Sequence, residues 1–395
     1  MSSPRVLYLT TRFPWPLDRG DRIRAYRLVE RFSRLAEVTL VTFHDSPATD
    51  APIQHLLPFC KRVEVIHHPA SLGISNMLSS VGGSDPFQVA YYRSAAMSTL
   101  VDRLAGEQWD VAFAQLFRML PYLNRLRAGK KVLELSDSLA LNLERATRIK
   151  PWWSRLPFHE ELRRVRQYER VALAAADEAW VVAEPDRQDL LARAPGARIE
   201  VIPMGLEERW GPGGLTDSKE PLALFLGNLT VGHNLDTAEH LVRRIWPLVR
   251  RQRADARLIL VGRAAARARR LDDPGSGVEV AGYVDDLVPL LSRAVLGVAP
   301  LRYGAGLQNK VIELMAAGLP SVVTPMVNEG IGARPGVEIV VAASDNDMAS
   351  AIVTLMNDPE DAARLGRAAR AFATSRYRWD LAEARMAGLL GASER

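Results

Sequence analysis

The sequence predicts an α/β protein made of two lobes, each a parallel sheet with helices packed around it. Three observations carry this. Short apolar runs alternate with helix-period runs along the whole length, the pattern of strands joined by crossover helices. The chain has 395 residues, too many for one ordinary core, so two domains are the default. Between the halves, LEERWGPGGLTDSKEPL breaks the pattern with Gly, Pro and polar residues and reads as a linker.

Taken in order, the first half opens with a buried strand over 5–10, the loop TRFPWPLDRGD and an amphipathic helix over 22–34. Further strands are predicted over 38–43, 62–67, 110–115, 131–135, 178–182 and 198–203, with helices in most gaps. The segment 72–92 is rich in Ser and Gly and reads either way, and a long charged helix is predicted over 160–176. After the linker, strands are predicted over 222–227, 256–262, 278–283, 296–301, 320–324 and 338–342. Ligands in such folds bind at the carboxyl ends of the strands, so a cleft between the lobes is the expected site.

Composition narrows the partners. Hydrophobic residues make up 48% of the chain, enough for well-filled cores. The 51 basic residues against 46 acidic ones leave a net charge of +5, with a pI near 9.4. That favours nucleotides, phosphates and acidic lipids; with no basic tail and no aromatic-basic pattern, nucleic acid is not an expected partner. The single Cys60 excludes an internal disulfide and a cysteine-cluster metal site. The seven histidines lack metal-ligand spacing. His67 and His68 are adjacent, so on a strand they point to opposite faces and read as ordinary. No metal and no cofactor is expected. No apolar run reaches about 18 residues, so no spanning segment is expected. The opening MSSPRVLYLTTRF reads as a strand without a signal peptide, and the expected location is cytoplasmic, with peripheral contact at the inner face of the cell membrane.

The most informative stretch is LGVAPLRYGAGLQNKVIELMAAGLPSVVTP over 296–325. It reads as strand, glycine turn, amphipathic helix, strand. Gly304-Ala305-Gly306 lets backbone approach a ligand, and the helix that follows aims unpaired N–H groups at the same spot. That is an anion site, most often for phosphate. Lys310 and Glu313 lie three apart and share a helix face. A cation suited to phosphate and a carboxylate suited to hydroxyls then sit together, which fits a nucleotide-sugar. The alternative is a plain strand-to-helix turn with a surface ion pair. Asn309 replaces the third glycine of a dinucleotide fingerprint, which disfavours a two-domain dehydrogenase.

The motifs LFLGNLTVGHN over 224–234, RLILVGR over 257–263, VEVAGYVDD over 278–286 and VAPLRYGAGLQNKVIELMAAGLPSVVT over 298–324 occur in this order. With them, the second half resembles the retaining GT-B glycosyltransferases of glycosyltransferase family 4, the group related to glycogen synthase, and looks closest to its bacterial exopolysaccharide sugar transferases. RFPWPLDRGDRIR over 12–24 resembles the glycine loop after the first strand, and FATSRYRWDLAEARMAGLL resembles the last helices. The resemblance implies two facing Rossmann-like domains with a cleft between them. Residues 1–205 would form the acceptor domain, joined by a helix over 377–395 that crosses back to it, and 206–376 the donor domain. It implies retaining, metal-independent transfer from a nucleotide-diphosphate sugar to an acceptor hydroxyl, in exopolysaccharide or glycoconjugate synthesis. The acceptor would be a saccharide, a lipid-linked sugar or a small natural product. A non-catalytic nucleotide-sugar binder is an alternative, and a nucleotide-sugar epimerase shares the fold but lacks a supporting carboxylate set here.

In that family's pattern Glu313 matches the glutamate that binds the ribose hydroxyls, while Ala305 stands where a sugar-binding glutamate is usual. Lys310 and Arg263 would face the diphosphate, with the helix start at Gly306 and Leu307. Tyr283 and Val284 would lie beside the base. Gly227 and Asn228 end a strand at the site, although Asn228 is equally a turn residue. Asn234 or Asp236 is expected to cap the next helix, with Glu239 completing the box. In the first lobe Gly20, Arg22 and Arg24 form the expected acceptor or phosphate loop, or else a charge pair with Asp18 or Asp21. Asp137, in Ser136-Asp137-Ser138, either meets the acceptor hydroxyl or caps a helix. IKPWWSRLPF over 149–158 interleaves Trp152, Trp153 and Phe158 with Lys150 and Arg155, which suits an anionic membrane surface or two tryptophans under a loop.

Overall fold

Apolar runs of the first half assemble into a seven-stranded sheet, and those of the second into a six-stranded one. The computed structural model describes residues 3–47, 51–149, 152–206, 220–304 and 306–391. They fall into two compact units, Met1–Pro203 with Trp379–Arg395, and Met204–Arg378. The expected linker lies for the most part outside the described residues, as do Lys150 and Ala305. Residues 152–157 are helical in backbone, and the side chains of Trp152, Trp153 and Arg155 lie outside the description.

In unit 1 the strands are β1 (Arg5–Thr10), β2 (Glu37–His44), β3 (Arg62–His67), β4 (Val111–Gln115), β5 (Lys130–Ser136), β6 (Glu178–Val181) and β7 (Ile199–Val201). They run parallel in the order β3-β2-β1-β4-β5-β6-β7. Each strand alternates its side chains between the two faces. Leu7 and Leu9 of β1 join Leu100, Leu104 and Leu133 in one apolar layer. Tyr8, between them, stacks on Phe113 at 4.9 Å between ring centroids, and Phe113 meets Trp180 edge-on at 5.1 Å. Both faces are therefore filled, as a parallel sheet requires.

Unit 2 holds β8 (Leu222–Leu226), β9 (Arg257–Val261), β10 (Val278–Gly282), β11 (Leu296–Ala299), β12 (Ser321–Val323) and β13 (Val340–Val341), in the order β10-β9-β8-β11-β12-β13. Here too β8 divides its residues, Ala223 and Phe225 to one core, Leu222 and Leu224 to the other. All six strands are shorter than expected, two of them for evident reasons. β11 stops before Pro300, which has no N–H for the ladder. The strand expected over 338–342 reduces to Val340–Val341, because Glu338 turns back to accept hydrogen bonds from the backbone and guanidinium of Arg334.

The helices that bear on function are α1 (Gly20–Phe32), α2 (Ala70–Ser79), α3 (Trp152–Ala175), α4 (Gly232–His240), α5 (Asn309–Ala316) and α6 (Pro359–Arg376). The ambiguous segment 72–92 resolves as α2 and a short helix Phe87–Tyr91. After unit 2 the chain returns to unit 1 with α7 (Asp380–Leu389), which buries Ala382, Met386 and Leu389. Arg385 closes on Glu178 at 2.7 Å, and the Arg31 guanidinium sits 4.2 Å from the Trp379 ring centroid.

One expected site residue belongs instead to this framework. Arg24 is only 2% exposed; its Nε donates to Glu134, itself fully buried, at 2.8 Å, and its Nη2 donates to the Ile202 carbonyl at 2.8 Å. Helix α1 begins at Gly20, two residues before the sequence suggested, and Arg24 lies on its buried face one turn from Leu28. Replacing Arg24 alone with Met leaves Glu134 buried without its counter-charge and destabilises unit 1 by about 3–5 kcal/mol. Joining Arg24→Met to Glu134→Leu recovers most of that loss. Urea unfolding followed by tryptophan fluorescence measures both, and a double variant no better than the single would contradict the pairing.

Candidate functional site

In unit 2 the strand order reverses between β8 and β11, and the carboxyl ends at such a reversal are where α/β folds place ligands. Glycines bring the strand ends together there. The Gly227 N–H donates to Val261 at 2.8 Å, and the Gly262 N–H donates to Gly282 at 2.7 Å. Gly262 has φ +139°, and a Cβ on it would lie 2.0 Å from the Gly227 carbonyl oxygen. Only glycine permits that approach. The Asn228 side chain accepts hydrogen bonds from the backbone N–H and hydroxyl of Thr230, so it is a turn residue. Neither Asn234 nor Asp236 caps α4, which starts at Gly232 without a side-chain cap. Asn234 donates to the Asn228 carbonyl at 3.0 Å, Asp236 pairs with Arg302 at 2.8 Å, and Glu239 pairs with Arg267.

From β11 the chain passes Gly304 and Gly306, both with positive φ, and enters α5. Val311, Ile312, Leu314 and Met315 bury into the core, so the helix keeps one orientation. Lys310 and Glu313 are left together on a half-buried face, with Leu307 just before it. Burial pushes the Lys310 amine down to about 8, and the Glu313 carboxylate opposes the shift. Burial also lowers the His233 imidazole, with the Lys310 charge adding to it, so α4 and α5 bring these groups within electrostatic reach. Arg263 is exposed, with its guanidinium 5.7 Å from the centroid of exposed Tyr283, and Val284 follows half-buried.

In unit 1 the order reverses between β1 and β4, and a cavity of about 350 Å³ lies at this edge. Thr11, Arg12, Arg22, His44, Asp45, His68, Gln88 and Arg118 contribute its polar lining, and Phe13, Phe43, Phe87, Tyr91 and Tyr92 its aromatic lining. Arg12 pairs with Asp21, and Arg22 pairs with Asp18 at 3.0 Å. Gly20 does not act as a glycine here: its φ is not positive, and a Cβ on it would meet nothing within 4 Å. Two non-glycine residues at neighbouring strand ends are strained, Leu116 at φ +69° and Ser136 at φ +63°, a cost of about 1–3 kcal/mol each that concentrates at functional sites. Asp137 follows Ser136. Burial raises its carboxyl to about 6, against the pull of Arg118 and with repulsion from Glu134. Ser138, rather than Asp137, caps the next helix, accepting from Leu141 N–H at 3.1 Å.

The glycine edge of β8 to β10 and the Lys310 and Glu313 face are thus brought into one unit, while Arg22 and Asp137 belong to the other and Arg24 to its core. Sequence reasoning missed His233, Arg118 and the role of His68. His68 follows β3, is 4% exposed and lines the cavity; its Nε2 is 2.8 Å from the Tyr91 carbonyl. Among the described residues no group of His, Cys, Asp and Glu is arranged to hold a metal ion, and no helix is long and apolar enough to cross a membrane.

Residues 220–358 match the family model described as glycosyl transferases group 1. These residues lie within unit 2. A stretch of 164 residues is 28% identical to a GDP-mannose-dependent monoacylated alpha-(1-6)-phosphatidylinositol monomannoside mannosyltransferase of Corynebacterium glutamicum, covering 38% of this chain and 43% of that protein. The chain therefore aligns with less than half the length of this curated relative. Among solved structures, sucrose-phosphate synthase from Thermosynechococcus elongatus is similar with a TM-score of 0.74 at 18% identity, over 98% of each chain. Anabaena Alr3699/HepE in complex with UDP-glucose is similar with a TM-score of 0.68 at 14% identity, over 98% of this chain and 100% of that one. These likenesses show the fold, two Rossmann-like units of the GT-B type.

The glycine contact at the β8 and β9 ends gives a direct check. Gly262→Ala forces Cβ against the Gly227 carbonyl and destabilises unit 2 by about 2–5 kcal/mol. Gly282→Ala meets only the strain of its φ of +74°, since its Cβ has open space, and costs about 1–2 kcal/mol. Thermal melting ranks the two, and equal losses would remove the close approach as the cause.

Proposed function

We propose that this chain transfers a sugar from a nucleoside-diphosphate sugar to an acceptor hydroxyl, with retention of anomeric configuration. The observation that carries the reading is the half-buried Lys310 one turn from Glu313, at the start of α5 and beside the glycine-lined ends of β8 to β10. The group 1 family match over 220–358 supports it. So do two of the similar proteins, one GDP-mannose-dependent and another in complex with UDP-glucose.

In this reading Glu313 accepts hydrogen bonds from the ribose diol, and Tyr283 and Val284 flank the base. Lys310, Arg263 and the N–H groups opening α5 oppose the negative charge that grows on the leaving diphosphate, which is electrostatic catalysis. On the acceptor side, Asp137, with its raised pKa, receives or orients the attacking hydroxyl proton. Residues 149–158 contribute membrane contact if the acceptor is lipid-linked. A second reading, a nucleotide-sugar binder without turnover, is favoured by Ala305 in place of the usual glutamate.

A transfer assay with UDP- and GDP-sugars decides between the two, and proton couplings at the new anomeric centre report retention. Donor binding with no product in any acceptor mixture would favour the binder. Activity is expected to survive EDTA, since side chains and a helix start supply the positive charge. Lys310→Ala is expected to lower kcat by about 10²–10³ with a smaller change in KM, because charge builds on the diphosphate in the transition state. Glu313→Ala is expected to weaken UDP or GDP binding by more than about tenfold, measured by calorimetry.

The Lys310 titration adds a pH dependence with a definite sign. The amine is charged below about 8 and neutral above it. A bound diphosphate raises that pKa, so affinity is full at lower pH and falls by up to about tenfold per unit above 8. Lys310→Met should be weaker and flat across the same range; a wild type that is equally flat would remove Lys310 from the diphosphate.

A further inference from the structure

Four buried side-chain polar atoms without a hydrogen-bond partner belong to residues lining the unit 1 cavity: Thr11 Oγ1, Arg22 Nε, His68 Nδ1 and Arg118 Nε. Buried polar atoms are nearly always paired, so a cluster of orphans at one cavity marks a place where partners arrive from outside the chain. Two of the four are obligatory donors and a third, the hydroxyl, can donate. The one carboxylate in the lining, Asp45, is exposed and lies 3.8 Å from the His44 ring rather than on Arg118. Arg12 and Arg22 have carboxylate partners, whereas the Arg118 side chain donates to the neutral amide oxygen of Gln88. Asp21 and Asp137 act on Arg118 through space only, with no hydrogen bond to it. A desolvated guanidinium without a paired anion is unfavourable in the empty protein. It becomes favourable once an anion binds, and a planar fork with several donors suits the oxygens of a phosphate.

The rest of the lining describes what the anion is attached to. Phe13, Phe43, Phe87, Tyr91 and Tyr92 form an aromatic wall, and Ala70 and Met77 of α2 add apolar surface. A volume of about 350 Å³ exceeds what a bare phosphate needs and accommodates a ring beside it. Strain at Leu116, two residues before Arg118, fixes the turn on which Arg118 stands.

We propose that this cavity binds an organic phosphate, a phosphate ester on a ring-sized apolar body, with Arg118 as the principal contact of the anion. The proposal rests on the reading of unit 1 as the acceptor side and gives that acceptor a chemical class.

The test is calorimetry on the full chain with benzyl phosphate, with benzyl alcohol as the uncharged match and UDP as the probe of unit 2. Benzyl phosphate should bind the wild type at least about tenfold more tightly than benzyl alcohol, and Arg118→Gln should lose about tenfold or more of that affinity. UDP affinity should be unchanged in Arg118→Gln, and Glu313→Ala should weaken UDP binding by more than about tenfold while keeping benzyl phosphate. Absence of benzyl phosphate binding overturns the proposal. So does binding that survives Arg118→Gln and disappears in Lys310→Ala, which would put the anion in unit 2 and leave the donor reading standing. Binding that follows Arg118 in a chain that ignores UDP supports the cavity and overturns the donor reading instead. If Arg118→Gln does not fold, photolabelling of the wild type with 4-azidobenzyl phosphate replaces it. Label on Met77, Tyr91 or Tyr92 supports the proposal, and label confined to unit 2 overturns it. Sedimentation with phosphatidic acid vesicles, against phosphatidylcholine alone, separates the two sources of the phosphate. Pelleting that depends on Arg118 identifies a lipid headgroup; benzyl phosphate binding without pelleting identifies a soluble ester.

Discussion

The backbone contact between Gly262 and Gly227 is the constraint on which unit 2 depends. With 2.0 Å between the Gly227 oxygen and the place a Cβ would take, the ends of β8 and β9 meet as backbone on backbone. Everything downstream inherits that geometry. The Leu229 N–H can reach the Arg263 carbonyl at 2.8 Å, the Asn228 turn closes, and α4 starts where His233 feels the charge of Lys310. The glycines leave a floor of peptide groups, and the chemistry stands on the helices that rise from it.

The sequence disclosed unit 2 well because its logic is local. A strand, a glycine turn and a helix follow one another over 296–325, and Lys310 and Glu313 share a face by helical period alone. The alternation of buried runs likewise announced most strands of both sheets. The failures were of two kinds. Caps were assigned by residue type, yet Asn234 is drawn to the Asn228 carbonyl and Asp236 to Arg302, both tertiary partners. Arg24 is expected at the acceptor or phosphate loop, yet it shares the buried face of α1 with Leu28 and pairs with Glu134, 110 positions away.

The unit 1 cavity was not legible for a related reason. Its lining comes from the ends of four strands and from segments as far apart as Thr11 and Arg118. No window of sequence contains it. His68 looked ordinary because strand alternation was assumed to continue past His67, where β3 ends. A positive φ at Leu116 carries no signature in the sequence, since the residue is neither glycine nor asparagine.

The return of α7 to unit 1 has a consequence for the order in which the protein matures. The seven strands of unit 1 are complete by Val201, but the helix whose Arg385 pairs with Glu178 is synthesised only after all of 204–378. At ~5–20 residues per second, that interval is on the order of 10 s or more. Unit 2, by contrast, is one continuous segment and can close as soon as it leaves the ribosome. The half begun first is therefore finished last, and during the wait its sheet presents an apolar seam that Ala382, Met386 and Leu389 later seal. A nascent chain halted within unit 2 would display that seam to chaperones, and a truncation that spares every strand would still deprive unit 1 of its closing piece.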